Sequence, residues 1–216
     1  LGIKVDFHIQ NNPTGIGNVF AEIKEYTQFD QYVLILGDNF LYGNNLPKIV
    51  IDSINNNVGA TVFTYPVNDP TRFGIIHETD GNMHLVEKPK KPQNDHAVLG
   101  LYVFKSSVFN NSLGLNKSKR GEYEITELLN VYAEEKTLSV KKLGQGNAWL
   151  DLGTFSSLAD ASSLVRVLQE RQGLLLGSPH SISLRKNKDN ILLKDYIQQQ
   201  SSDYFEMVSK VSIEYN

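Results

Sequence analysis

The 216-residue chain contains no cysteine. Disulfides, zinc–thiolate centres and thiol nucleophiles are therefore excluded, and the composition fits a reducing compartment, so a cytoplasmic location is expected. Charge of one sign is lacking too: 21 Lys and Arg stand against 24 Asp and Glu, a net charge of −3. That balance offers no general basic field for nucleic acid, and KPKK at 88–91 is too short to act as a charge block. No run of about 18 apolar residues occurs, so no membrane span is expected. The five histidines are scattered without metal-ligand spacing. No Ser/His/Asp pattern with a nucleophile elbow appears, and GQGN at 144–147 lacks the G-x-G-x-x-G dinucleotide pattern.

What is present is an ordinary apolar fraction of 40%, enough for a sizeable core. Ile3, Val5, Phe7 and Ile9 alternate with polar residues and predict a half-buried strand. Residue 1 is Leu, and IKVDFHI looks like a strand already under way, so the chain is expected to be part of a longer protein. QNNPTGIG reads as a loop, followed by a short helix within 17–26. Residues 32–36, YVLIL, are apolar throughout and predict a strand buried on both faces. A helix near 46–56 has Pro47 in its first turn. Strands are predicted at 60–67, 97–104 and 137–143, helices at 124–134 and 155–171, and a hairpin at 73–77 and 83–87 turning on Asp80-Gly81. Polar helical stretches near 189–199 and 202–212 predict a small helical tail. Strands alternating with helices, with a hairpin inserted, give an α/β fold with a mixed, mostly parallel sheet.

Two apolar stretches end in a carboxylate beside glycine: LILGDN, carrying Asp38, and NAWLDLG, carrying Asp151. Two carboxylates brought together can hold Mg2+, a hard cation that shares oxygen ligands with substrate phosphates. A turn cap formed by Asp38 and Asn39, and a residue of the turn before a helix at Asp151, are the plainer alternatives. Lys88 could neutralise a phosphate and Glu87 accept hydroxyls, or the two could form a surface ion pair. Strand alternation points these two side chains to opposite sides unless the backbone twists before Pro89. Arg120 could grip a phosphate through its planar fork or be a solvated loop charge. Gln10 could read a base edge or be solvated, and Trp149 is most simply a core aromatic.

Taken in order, QNNPTGIG, VLILGDNFLYGNNLP, GATVFTYPVNDPTRFGII, VEKPKKP, RGEYEIT, AWLDLGT and ERQG resemble the sugar-phosphate nucleotidyltransferases, specifically the glucose-1-phosphate thymidylyltransferases. The resemblance covers nearly the whole chain. It implies a Rossmann-like sheet of the nucleotide-diphospho-sugar transferase type, with a nucleotidyltransferase domain over 1–172 and a helical extension over 173–216. It implies transfer of a thymidylyl group from dTTP to glucose 1-phosphate, giving dTDP-glucose and pyrophosphate, with Mg2+ as cofactor and a homo-oligomer, usually a tetramer, as the assembly.

In that reading Asp38 and Asp151 match the metal ligands. Gln10 matches the thymine-reading amide, and Pro13 and Gly15 shape the base pocket. Gly74, Glu87, Val98 and Gly100 match the sugar pocket, and Lys88 and Arg120 hold the sugar phosphate. Trp149 lies near the metal strand, and Phe73 stands beside the sugar where the family usually has Tyr. The family's GGxGTRLxPxT loop, which cradles the triphosphate, has no counterpart here, so about seventy residues of family sequence would precede Leu1. A polypeptide of residues 1–216 alone is accordingly expected to aggregate through an exposed strand edge and to lack nucleotidyl transfer. Alternatives are a non-catalytic sugar-nucleotide- or partner-binding relative, a UTP-using uridylyltransferase and, last, a glycosyltransferase.

Overall fold

The computed structural model describes residues 3–173 and 175–186. Residues 8–151 form one compact unit, and the remainder groups as a second.

The first unit carries eight strands: β1 (Gln31–Ile35), β2 (Asn39–Gly43), β3 (Ala60–Pro66), β4 (Gly74–Thr79), β5 (Asn82–Glu87), β6 (His96–Lys105), β7 (Leu138–Lys142) and β8 (Asn147–Asp151). Its α-helices are α1 (Val19–Ile23), α2 (Leu46–Asn55), α3 (Val108–Leu113) and α4 (Ile125–Glu134). The main sheet runs β5-β4-β6-β3-β7 with β1 also on β6, while β2 and β8 form a separate ladder. The fold is α/β with a mixed sheet. Strands β1, β3, β4 and β7 share one direction, but β6 threads between them the opposite way. Only the β3–β7 ladder is therefore parallel among the described strands.

β6 is the centre of the core because AVLGLYVF carries no polar group but the Tyr102 hydroxyl, and eight consecutive positions are buried. Tyr102 and Phe104 pack on Leu128, Leu129 and Tyr132 of α4. On the other face Leu99, Leu101 and Val103 meet Phe63, with Ile49, Val50 and Ile54 of α2 against them. Helices thus cover both faces of the central strand, as its unbroken apolar run requires. The hairpin closes as the Asp-Gly signal demands, with φ of 51° at Asp80 and 75° at Gly81.

Two expectations fail. β1 is not buried on both faces: Tyr32 and Leu34 pack into the core, whereas Val33 is 42% and Ile35 60% exposed. The reason is position, since β1 pairs only with β6 and is an edge strand whose second face nothing covers among the described residues. The segment at 3–9 takes no regular structure, and Phe7 is 93% exposed. Alternation makes a strand only where a ladder partner exists, and no ladder includes this segment.

In the second unit, α5 (Phe155–Gln172) begins at a reciprocal Thr154–Ser157 capping box and ends at Gly173 in the left-handed region, φ 66°. α6 spans Pro179–Lys186. The helical stretches expected near 189–199 and 202–212 lie outside the described residues. Among the described residues no helix is long and apolar enough to cross a membrane.

Candidate functional site

The β4–β5 hairpin assembles the first half of the site. Gly74 pairs with Glu87 across the ladder. A Cβ at Gly74 would lie 3.0 Å from the Thr126 methyl, 3.4 Å from the Glu87 carboxylate and 3.9 Å from Val98. These positions therefore converge, and Gly74 leaves the room between them. Strand geometry ends at Glu87. Lys88 takes φ 45°, and its N–H donates to the Phe73 carbonyl at 3.0 Å. A left-handed non-glycine residue costs about 1–2 kcal/mol. What the twist achieves is to break the alternation, so that Glu87 and Lys88 point the same way: Lys88 Nζ lies 4.0 Å from Glu87 Oε1.

Arg120 comes to the same place from the loop before α4, 4.0 Å from Glu87, 3.6 Å from Glu124 and 3.5 Å from Glu122. Glu87, Lys88, Lys117, Lys119, Arg120 and Glu124 border one cleft of about 560 Å3. Lys88 and Arg120 are half exposed and their pairs with Glu87 are long, so they are available to a phosphate rather than locked in strong bridges. Burial pushes the Glu87 carboxyl above its usual range, and Glu124 adds to the rise, against the lowering influence of Lys88 and Arg120. Folding therefore favours protonated Glu87, and its ionisation costs stability as pH rises through its folded-state pKa. Glu87→Gln is expected to melt higher than the parent at pH 7 and to lose that advantage below the ordinary glutamate range. Thermal melts across pH 3–8 decide this, and an equal or lower midpoint at pH 7 would contradict it.

The second half is built on β2 and β8. Leu36–Asn39 is a β-turn closed by the Asn39 N–H on the Leu36 carbonyl at 3.1 Å, with Gly37 and Asp38 at its corners. β2 then pairs antiparallel with β8, placing Asn39 opposite Asp151. Asp38 and Asp151 thus come to the same end of one ladder. Asp38 accepts from the Asn39 amide at 2.7 Å, and Asp151 meets the Arg72 guanidinium at 3.3 Å. Capping of α5 falls to Thr154, so Asp151 is not a cap. Trp149, two residues before Asp151, packs on Phe73 at 5.1 Å and on Tyr65 at 6.2 Å. Burial, with the charges of Glu87 and Asp38, pushes up the pKa of the Tyr102 hydroxyl, so both halves lie within electrostatic reach of one core group.

The amino-terminal loop is a third element. The Gly17 N–H donates to the Tyr123 carbonyl at 2.9 Å, and the Tyr123 N–H to the Thr14 carbonyl at 2.8 Å. Gly15 has φ 113°, and a Cβ there would sit 2.5 Å from the Tyr123 carbonyl oxygen. Only glycine lets the loop lie this close to the segment after Arg120. Pro13 is exposed on the loop. The Gln10 amide donates to Glu22 at 2.8 Å and is not brought to Asp38 or Glu87 by any hydrogen bond.

Sequence reasoning assigned no role to Arg72 or Asn130 and saw in Asn39 only a turn cap. Arg72 was visible only as one cation in NDPTRFG; its guanidinium lies 5.3 Å over the Phe73 ring while reaching Asp151. Asn130 is a buried amide that fastens β5 to α4, accepting from the Leu85 N–H at 2.7 Å and donating to its carbonyl at 3.0 Å. Among the described residues no cluster of three or more His, Asp or Glu is poised for a metal.

The chain is 40% identical over 186 residues to a glucose-1-phosphate thymidylyltransferase of Mycolicibacterium smegmatis, covering 85% of this chain and 64% of that protein. It is 39% identical over 189 residues to a protein of the same name from Mycobacterium tuberculosis, covering 86% and 65%. It therefore spans about 65% of the length of the curated relatives it matches. Among solved structures it is similar to a Bacillus anthracis protein provisionally titled glucose-1-phosphate thymidylyltransferase, in complex with sucrose. The TM-score is 0.66 and the identity 32%, covering 76% of this chain and 66% of that one. A UDP-glucose pyrophosphorylase structure, 20% identical with a TM-score of 0.63 over 72% of this chain and 63% of its own, shares the fold. The family model described as nucleotidyl transferase matches residues 1–167, through the hairpin, the cleft and both aspartates, and the chain belongs to that family.

Proposed function

We propose that this chain forms the sugar-phosphate side and the metal-binding end of an enzyme that transfers a thymidylyl group from dTTP to glucose 1-phosphate. The observation that carries the reading is the left-handed turn at Lys88, which brings a carboxylate and two cations, Glu87, Lys88 and Arg120, to one cleft. A sugar phosphate needs that pair of chemistries: acceptors for hydroxyls and cations for the phosphate. Glu87 takes the hydroxyls, with Gly74 and Val98 giving the ring space, and Lys88 and Arg120 hold the phosphate. A phosphate oxygen of glucose 1-phosphate attacks the α-phosphorus of dTTP in line. The new P–O bond forms as the bond to the β-phosphate oxygen breaks, and pyrophosphate leaves without a covalent enzyme intermediate.

Asp38 and Asp151 fit Mg2+ by donor chemistry: hard oxygens on neighbouring strand ends, two in number, leaving the remaining positions to water and phosphate. Held there, the ion would offset charge developing on the transferring group. Until it is bound, Arg72 balances Asp151. Gln10, Pro13 and Gly15 form the base side of the same reading, which requires Gln10 to leave Glu22 when dTTP binds.

The test combines binding with turnover. Glucose 1-phosphate is titrated into the chain by calorimetry, and pyrophosphate release is followed in a protein that joins the chain to the family's amino-terminal loop, with Mg2+, glucose 1-phosphate and either dTTP or UTP. Saturable glucose 1-phosphate binding that Arg120→Ala weakens about tenfold, the scale for a charge-assisted hydrogen bond, supports the reading. Absence of such binding would overturn it, and preference for UTP would move the assignment to a uridylyltransferase. In the protein that carries the amino-terminal loop, Glu87→Ala is expected to raise KM for glucose 1-phosphate about 10-fold or more with little change for dTTP. Equal loss for both substrates would make Glu87 structural.

A further inference from the structure

We propose that Asn39 is a positioning residue, whose single side chain sets the direction of the Asp38 carboxylate and the pitch of Trp149. The inference rests on the metal-binding role proposed above for Asp38. Asn39 Oδ1 accepts from the Trp149 indole N–H at 2.7 Å and from the Gly100 backbone N–H at 3.0 Å. Asn39 Nδ2 donates to Asp38 Oδ1 at 2.7 Å. Chemistry makes this orientation of the amide unambiguous. Indole and backbone N–H groups only donate, so both need the oxygen, and a carboxylate only accepts, so it needs the nitrogen.

Three separate pieces of chain meet on this one amide. The turn after β1 brings Asp38, the middle of β6 brings Gly100, and β8 brings Trp149 two residues before Asp151. The backbone repeats the connection, since the Leu36 N–H donates to the Gly100 carbonyl at 2.9 Å and Asn39 lies opposite Asp151 in the β2–β8 ladder. Gly100 is part of the device. A Cβ there would lie 2.5 Å from Asn39 Nδ2 and 2.7 Å from its Cγ, so the amide can lie against β6 only because residue 100 has no side chain. Both lone pairs of Oδ1 are committed to protein donors. The side chain is thus held from behind, and the amide N–H facing Asp38 has a defined direction. Removing it frees the Asp38 carboxylate to rotate and leaves the Trp149 N–H without its acceptor.

Trp149 is the chain's only tryptophan, which makes the proposal readable without turnover. The experiment compares the full chain with Asn39→Leu, which keeps the branched shape and removes all three bonds, and with Gly100→Ala, which pushes on the amide from behind. Trp149 emission and acrylamide quenching are recorded without metal. Mn2+ affinity is measured by electron paramagnetic resonance on protein shown to be folded by circular dichroism. Both variants are expected to change Trp149 emission and raise its quenching, and to weaken Mn2+ binding about 10-fold, the scale for losing an outer-shell partner of a ligand. A merely structural asparagine would lower the melting temperature and leave the Mn2+ affinity of the folded protein alone. Affinities within twofold of the parent, or an unchanged Trp149 signal, would overturn the proposal. Should Asn39→Leu not fold, Gly100→Ala decides the matter by the same readouts. If the parent chain binds no Mn2+ at all, the metal-site reading fails and the positioning role toward Asp38 falls with it. Parental binding with unchanged variants sinks the positioning role alone.

Discussion

On the reading proposed above, and in a protein that joins this chain to the family's amino-terminal loop, replacing Asp38 by Asn is expected to cut pyrophosphorolysis of dTDP-glucose by about 100-fold or more, the scale for losing electrostatic stabilisation of a transferring group. The substitution is informative because it should leave the fold intact. An amide at position 38 still offers an oxygen to the Asn39 Nδ2 donor, now 2.7 Å away, and the turn is closed by backbone alone. What disappears is the negative charge. Asp151→Asn is expected to behave alike, with Arg72 losing its partner at 3.3 Å in the absence of metal. That pair is exposed enough that its loss should cost little stability. The measurement is the rate of dTTP formation from dTDP-glucose and pyrophosphate at saturating Mg2+, with melting temperatures as the control. Near-parental turnover in either variant would show that the charge there is not used in the transfer.

Asn130→Ala is expected to be the most destabilising single substitution at the site, lowering unfolding free energy by about 2–5 kcal/mol. Leu85 in β5 turns its N–H and carbonyl away from β4, and both are satisfied by one side-chain amide of α4. Truncation leaves a buried donor and a buried acceptor without partners, at about 1–3 kcal/mol each. A chain of this size should then melt roughly 5–15 °C lower. Function should suffer as well, since Leu85 lies two residues before Glu87 and three before the left-handed Lys88. A drifting strand end would separate the carboxylate from the cations it meets in the cleft. Urea unfolding gives the first number and glucose 1-phosphate titration of the folded variant the second. A loss below about 1 kcal/mol would mean that water replaces the amide at no cost.

Much of the architecture was legible because its causes are local. The apolar run of β6, the Asp-Gly corner of the hairpin, Pro47 in the first turn of α2 and the Thr154 start of α5 each carry their own physical reason within a few residues. The two aspartates were also legible, as carboxylates that end apolar stretches beside glycine. Tertiary structure decided everything that depends on a distant partner. The expected strand at 3–9 has the right alternation and, among the described residues, no ladder to join. The strand at 32–36 has the composition of a central strand and the position of an edge. β2 was hidden inside what reads as a turn, because its ladder is with β8, more than a hundred residues away. Glu87 and Lys88 should face opposite ways by alternation, and only the φ of 45° at Lys88, held by the Phe73 carbonyl, brings them together. Asn39, Arg72 and Asn130 look like ordinary polar residues because Trp149, Asp151 and Leu85, the partners that give them their roles, are 45 to 110 residues away. Residue types and local spacing by themselves determined which side chains are capable of the chemistry. Hydrogen bonds and ladders between distant segments, formed only on folding, decided which of them meet and in what direction they point.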